Sequence, residues 1–414
     1  MAQPTVPSDD KTEQQAAFAF DLLRLEPGFL DDPFPTYHRL RRWDPVHRCP
    51  DGSYFLTRYD DVAAVYRDHA RLSSDKKVEF KPKFGDAPLF EHHTTSLVFR
   101  DPPDHTRLRR LFAAAFTPKA LAALQPRVVR LVDGMLDRAE RQGGMDLIAD
   151  YAFALPVELI GDMLGVPRAD RSRLRDWSLA ILGALEPVPG SARLDKGNRT
   201  VEEFKAFLRA LCEDRRRHPP LNDDGEVLSK LIAAEDEQGA LSEIELLHQC
   251  IFLLNAGHET TTNLIGNGVH ALLEHPGELR RLQDDPLLIE TAVEEFLRYE
   301  SSNQLGNRRA LADVDVGGVA LPAGTLITLG IGAANRDPAQ FPEPDRLDIT
   351  RTPNRHLAFA TGIHACAGMW LARMEGQVAI GRLVRRFPKI RSAGPVVRGG
   401  RARFRGLAQF PVAV

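Results

Sequence analysis

The segment FATGIHACAG, Phe359 to Gly368, places a cysteine where its thiolate would be chemically useful. Cys366 follows a loop containing Gly362 and opens a helix expected to run from about Ala367 to Arg386. Free N–H groups and the positive end of the helix dipole stabilise a thiolate at such a position. Small residues around it (Gly362, Ala367, Gly368) let the backbone approach a flat cofactor closely. The competing reading is a buried thiol at a cap position. Cys49, Cys212 and Cys250 lie far apart and follow no disulfide or zinc spacing.

A second stretch, NAGHETTTN at 255–263, sits in the middle of a helix expected over 242–274. Gly257 in a helix interior costs about 1 kcal/mol relative to alanine, and three successive threonines are poor helix formers. Thr260 can bond back to the carbonyl of Ala256 and open a groove in the helix. A carboxylate (Glu259) and a hydroxyl (Thr260) beside such a groove suit binding oxygen and relaying protons; a kinked core helix is the alternative. A third feature, Glu295-Phe296-Leu297-Arg298, is an i,i+3 ion pair, a pattern that by itself marks an ordinary helix surface.

The cysteine segment resembles the haem-binding loop of the cytochrome P-450 family, Phe-Gly-x-Gly-x-His/Arg-x-Cys-x-Gly. Phe359, Gly362, His364, Cys366 and Gly368 match, and Ala360 stands where glycine is usual. That departure has a cost only if the position needs positive φ. NAGHET resembles the family's Ala/Gly-Gly-x-Asp/Glu-Thr segment over the haem, and Glu295–Arg298 its Glu-x-x-Arg pair. The motifs occur in family order from about Pro33 to the C-terminus.

The resemblance implies heme b (iron protoporphyrin IX), with Cys366 as the iron ligand. Ala256 and Phe359 would lie against the cofactor, and His105, Arg109, Arg308 and His364 would bind its propionates. Arg346, in PEPDRLD, would complete a structural clamp with Glu295 and Arg298. The substrate pocket would include Leu97, Val98, Asn255, Asn303, Leu407 and the 183–191 loop. The implied reaction inserts one oxygen atom of O2 into a small organic substrate, with protons delivered through Glu259 and Thr260. Electrons would come from a separate ferredoxin and NAD(P)H reductase, because no flavin or iron–sulfur motif is present. The competing classes are a haem-thiolate peroxygenase, which would have little use for the acid–alcohol pair, and a non-catalytic haem-binding protein, which would fit the Cys366 loop but not a full pocket.

The elements that must position these residues read as mainly α with a small β-rich region. Helices are expected at 104–116, 119–142, 146–164 with a kink at Pro156, 168–185, 199–217, 226–237, 242–274 and 286–300. Ser242 and Glu245 form a capping-box signal for the long one. A hairpin is expected over Val46–Arg48 and Tyr54–Thr57, and a loop over Lys76–Pro88. Short strands are expected between 306 and 330 and in the C-terminal tail. Residues 1–17 read as a disordered leader and 18–414 as one domain, with the haem between the long helix and the Cys-loop helix.

The 414 residues are 43% hydrophobic and 27% charged, with a formal net charge of -3, the balance of an ordinary globular protein. No global basic field favours nucleic acid. The polar N-terminus lacks a secretory apolar core, and no apolar run reaches the roughly 20 residues of a membrane span. A cytoplasmic, unanchored monomer is the expectation.

Overall fold

The computed structural model describes residues 8–26, 28–113, 116–219, 227–236 and 241–414. A helical body surrounds the 32-residue helix Glu243–Glu274, and a smaller β-rich side carries a five-stranded sheet. The long helix begins with the expected reciprocal cap: Glu245 N donates to Ser242 Oγ at 3.3 Å and Ser242 N to Glu245 Oε2 at 3.0 Å. Most of its residues are buried, so it is the axis of the main core.

Two glycines set how this axis meets the helix Met369–Arg386. A Cβ on Gly376 would lie 3.1 Å from Leu264, and one on Gly268 would lie 2.9 Å from Ile380. Residue numbers rise together along both helices at these contacts, so the two run in the same direction. Continued backwards, that register places Ala256–Thr260 level with the start of the second helix, where Cys366 lies. Two closely packed helices thus bring the two chemical motifs of the sequence to the same level.

The sheet orders Val46–Arg48, Tyr54–Leu56, Leu326–Gly330, Leu305–Ala310 and Leu72–Ser73. Only the Tyr54–Leu56 and Leu326–Gly330 pair is parallel. The expected hairpin and the strands at Val314–Val316 and Val319–Leu321 are present. Four short strands end the chain, and Pro411–Ala413 pairs with both Gly144–Asp146 and Arg391–Ser392.

Several expected boundaries move. Ser8–Phe18 is a helix rather than part of a disordered leader; Glu13 pairs with Arg39 at 2.8 Å and Asp10 with Arg42 at 3.1 Å, and Ala17 is fully buried. Residues 1–7 lie outside the described residues. The expected loop over Lys76–Pro88 contains the helix Lys77–Phe84, and another helix follows at Pro88–Thr95. Phe80 and Phe84, four apart, bury one face with ring centroids 5.1 Å apart, and that apolar pair outweighs Pro82 and the lysines.

The 146–164 helix breaks at Phe153 instead of kinking at Pro156. A π-helical turn, Leu147–Ala152, is followed by Ala154–Met163, in which Pro156 occupies the first turn, where its missing N–H costs nothing. The helix expected at 199–217 starts at Ser191, and Pro276–Asp284 is an additional helix. Residues 114–115 of the 104–116 helix, and 226 and 237 of the helix expected at 226–237, lie outside the described residues. Among the described residues no helix is long and apolar enough to cross a membrane.

Candidate active site

The cysteine loop is held by its own backbone. Cys366 N donates to Phe359 O at 2.9 Å, and Ala365 N to Gly362 O at 3.1 Å. Gly362 has φ 75°, and a Cβ there would stand 2.7 Å from the carbonyl of Tyr66, so the position excludes any side chain twice over. Ala360 has φ 55°. The position that usually carries glycine does need the left-handed conformation, and alanine bears a strain of about 1–2 kcal/mol there.

Phe359 is clasped from outside by the Arg373 guanidinium, 4.9 Å from its ring centroid. Arg373 is fixed to Glu294 at 2.7 and 2.8 Å, and His356 reaches the same carboxylate at 3.2 Å. Burial raises the Cys366 thiol, opposed by a Gly368 N–H and the charges of Arg109 and Arg373. The helix terminus and two arginines therefore work in the direction expected for a thiolate ligand.

The long helix runs continuously through Gly257 and the threonines, as expected over 242–274. Gly257 serves packing, because a Cβ would meet Ile160 at 2.9 Å. The groove is present: Thr260 Oγ1 donates to Ala256 O at 2.7 Å. Ala256 is exposed and Thr260 half-exposed on a helix otherwise closed by the core.

Glu259 points elsewhere. Its Oε1 accepts from Arg401, while its Oε2 is buried without a partner, and burial pushes the carboxyl up to about 7. His258 is buried against Phe153, with ring centroids 4.4 Å apart and neither nitrogen bonded, and burial drives it down to about 3. Sequence reasoning missed Arg401, which lies 142 residues from its partner and carries no local signal.

His105, Arg109, Arg308 and His364 converge. The His105 and His364 rings lie 4.2 Å apart. Burial, with Arg308, His105 and Arg109 behind it, pushes His364 down to about 2, and its Nε2 is buried without a partner. His105 and Arg308 are likewise depressed, chiefly by burial, and Asp101 is the anion that opposes this in both. Two arginines and two imidazoles kept neutral by burial and by the neighbouring positive charges, with one carboxylate near them, suit a further anion, because guanidinium binds a carboxylate and an added anion favours protonating the imidazoles. These residues fit the two propionates of a haem.

The clamp is real, with one member changed. Glu295 and Arg298 are both 0% exposed and joined by two bonds of 2.7 Å. Arg298 also donates to the carbonyls of Asn335, Pro344 and Arg346. The Arg346 side chain is not the third cation: it is 58% exposed and pairs with Glu343. Only its carbonyl turns inward. The second guanidinium on Glu295 is Arg351, 10% exposed, with Nε at 3.2 and 3.3 Å from the two oxygens.

The residues expected to line the pocket fall in different settings. Leu97 and Leu407 are buried in the main core, Val98 is exposed, and Asn303 bridges Phe404 through the backbone with its Oδ1 buried and unpaired. Asn255 Nδ2 lies 3.4 Å from His92 Nε2; His92 reaches His248, which reaches Glu91. The amide is thus met by a buried histidine pair rather than by backbone. In the 183–191 segment, Glu186 is buried and its Oε2 accepts from Ala402 N and Arg403 N.

Comparison with known proteins decides what this arrangement is. Residues 178–390 match the model of the family described as Cytochrome P450. The chain is 43% identical to a Vitamin D(3) 25-hydroxylase of Pseudonocardia autotrophica, over 93% of this chain and 94% of that one. The chain belongs to the cytochrome P450 family. It is also 38% identical to the Cytochrome P450 monooxygenase PikC of Streptomyces venezuelae, over 95% of this chain and 93% of that one. The solved structure of CalO2 superposes with a TM-score of 0.88 at 32% identity, covering 96% of this chain and 98% of that one. The fold is the P450 fold, the cofactor of this P450 is haem, and its activity is that of a haem-dependent monooxygenase drawing on O2, a substrate and redox partners.

Proposed function

We propose that this P450 holds its haem through Cys366, with the propionates on His105, Arg109, Arg308 and His364 and the distal face under Ala256 and Thr260. When bound, the haem supplies reductive activation of O2 for insertion of one oxygen atom into a substrate C–H bond; an axial thiolate favours O–O cleavage, as is general for this class. Thr260 holds its hydroxyl at the groove, where it would pass a proton towards the cofactor side. Glu259, one residue earlier and with a pKa near neutrality, is placed to exchange protons at that pH. Asn303, with Leu97, Val98, Asn255 and Leu407 near it in the family's pocket pattern, offers its unpaired Oδ1 to a donor on the substrate.

The observation that carries this reading is that Ala256 and Thr260 are open in the buried middle of the long helix, level with a cysteine loop flanked by His105, Arg109, Arg308 and His364. The electron donor is an acidic ferredoxin served by an NAD(P)H reductase, and the enzyme acts as a cytoplasmic monomer. The exposed Arg67, His69 and Arg355 beside the cysteine loop, with Trp370 62% exposed one helical turn beyond Cys366, suit an acidic partner.

Two measurements test the proposal. Reduced protein under carbon monoxide gives the red-shifted Soret band of thiolate ligation, and Cys366→Ser loses it; a band that survives the substitution overturns the ligand. Thr260→Ala, supplied with ferredoxin and reductase, releases more peroxide per NAD(P)H oxidised. An unchanged ratio removes Thr260 from proton delivery.

A further inference from the structure

Glu259 is tethered by a part of the chain remote in sequence. Arg401 donates Nη1 to Glu259 Oε1 and Nη2 to the carbonyl of Leu179, 3.2 Å away in the helix Arg171–Gly183. The two side chains are only 14% and 8% exposed, so the pair lies out of bulk water. The backbone that carries Arg401 is pinned in turn. Glu186, 3% exposed in the turn after that helix, accepts from Ala402 N at 3.0 Å and Arg403 N at 3.1 Å through one oxygen. Lys83 holds the carbonyl of Glu186 at 2.9 Å, and Arg403 donates to Leu305 O and to Asn307 Oδ1.

We infer that Arg401 is a positioning residue for Glu259, anchoring its carboxyl group and, through the Glu186 latch, tying that group's freedom to the seating of the 184–190 turn. The inference rests on the reading of Glu259 and Thr260 as the proton-delivering pair. It goes further in naming what holds the acid away from the groove and what must shift to release it. A guanidinium bound at both ends is stiff, because moving it breaks the bond to Leu179 as well as the ion pair. Glu186 cannot leave without exposing two backbone N–H groups that it alone satisfies.

The charges facing Glu259 come from two elements. Arg401 on the C-terminal segment favours the ionised carboxylate, and Glu186 on the turn opposes it; Arg175, on the helix Arg171–Gly183, acts on the neighbouring His258. Burial is the largest influence, and it outweighs Arg401 to raise the Glu259 carboxyl to about 7. Without Arg401, burial and Glu186 remain, and both favour the protonated acid.

The test uses the haem-loaded protein. The Glu259 carboxyl band is followed against pH as the infrared difference between the native protein and Glu259→Gln. Arg401→Gln raises its midpoint by about one unit or more, the usual effect of losing an adjacent opposite charge, and Arg401→Lys raises it less. Peroxide released per NAD(P)H oxidised changes in Arg401→Gln, and its pH profile moves the same way. In the Glu259→Gln background, Arg401→Gln adds nothing further, because one residue acts through the other. A midpoint unmoved in both Arg401 variants, or losses that add in the double variant, overturns the inference. Should Arg401→Gln fail to load haem, the titration of Arg401→Lys decides. If Glu259→Gln alone leaves peroxide release unchanged, the proton-pair reading fails, while the infrared midpoint still reports whether Arg401 positions the group.

Discussion

The clamp around Glu295 gives a prediction in which two arginines five residues apart behave differently. Glu295 is fully buried and receives two bonds from Arg298, two longer ones from Arg351, one from Asn354 Nδ2 at 3.1 Å and one from Asp348 N at 3.0 Å. Arg298→Ala leaves a buried carboxylate with half its charge balance gone, the buried Asn335 carbonyl short of a donor, and the part-buried carbonyls of Pro344 and Arg346 each short of one bond. Breaking a buried pair costs about 3–5 kcal/mol, and each orphaned acceptor adds about 1 kcal/mol or more. A total of this size rivals the whole stability of a typical domain, so Arg298→Ala should not accumulate as haem-loaded protein. Arg351→Ala removes the longer pair and its bonds to the carbonyls of Pro342 and Glu343 while Arg298 still neutralises Glu295, which puts the loss at about 1–3 kcal/mol. Arg346→Ala removes an exposed pair and leaves its useful carbonyl in place, a change within about 0.5 kcal/mol. Denaturant unfolding of the three variants, with haem retention followed by the Soret band, measures the series. Equal losses for Arg346→Ala and Arg351→Ala would refute the assignment of the second cation.

Three further expectations follow from single positions. Ala360→Gly relieves left-handed strain of about 1–2 kcal/mol at an entropic cost of about 0.5–1 kcal/mol, so the melting temperature rises slightly; a fall shows that the Ala360 methyl contributes more by packing than its conformation costs. Glu375, buried on the Met369–Arg386 helix with Oε2 unpaired, is pushed by burial up to about 8 from an unfolded value of 4.5. A raised carboxyl pKa makes the folded state lose stability as pH climbs from about 4.5 to about 8, so Glu375→Gln gains over the native protein across that window, and a gain independent of pH argues against a neutral Glu375. Asn303→Val weakens binding of a spin-shifting ligand by about 1–3 kcal/mol if its buried Oδ1 meets a substrate donor, and unchanged affinity makes the residue structural.

Much of the architecture was legible because it rests on local rules. The Ser242–Glu245 cap, the Thr260 back-bond, the hairpin at Val46–Leu56 and the short strands from Val314 onward all follow from residues within a few positions of each other. Where the local rules failed, a tertiary contact had overruled them. Phe80 and Phe84 find a ring cluster with His93 and Phe99, so a charged, proline-containing segment becomes helical. Ser8–Phe18 is polar enough to read as disordered, yet ion pairs to Arg39 and Arg42 and the burial of Ala17 fix it. Gly257 read only as a cost to its helix, because nothing in the sequence announces Ile160 across the interface.

The same division runs through the site. Cys366, Thr260 and the cations around His364 could be placed from motif positions, because backbone geometry and the propionate-like anion they suit impose fixed spacings. What the motifs could not give is which group answers each charge. Arg351 and Arg346 stand in the same irregular stretch, and only the direction of the chain after Glu343 turns one guanidinium inward and the other to solvent. Asn255 read as a pocket residue, and its Nδ2 meets a histidine 163 residues away. Glu259 looked free to serve Thr260, and an arginine near the C-terminus holds it. In each case the motif fixes a charge or polar group, and burial makes its unmet cost large. A distant residue must then answer that cost, and the answering residue is under no constraint of spacing. Such partners, here Arg351 for Glu295, His92 for Asn255 and Arg401 for Glu259, can change without altering the motifs themselves.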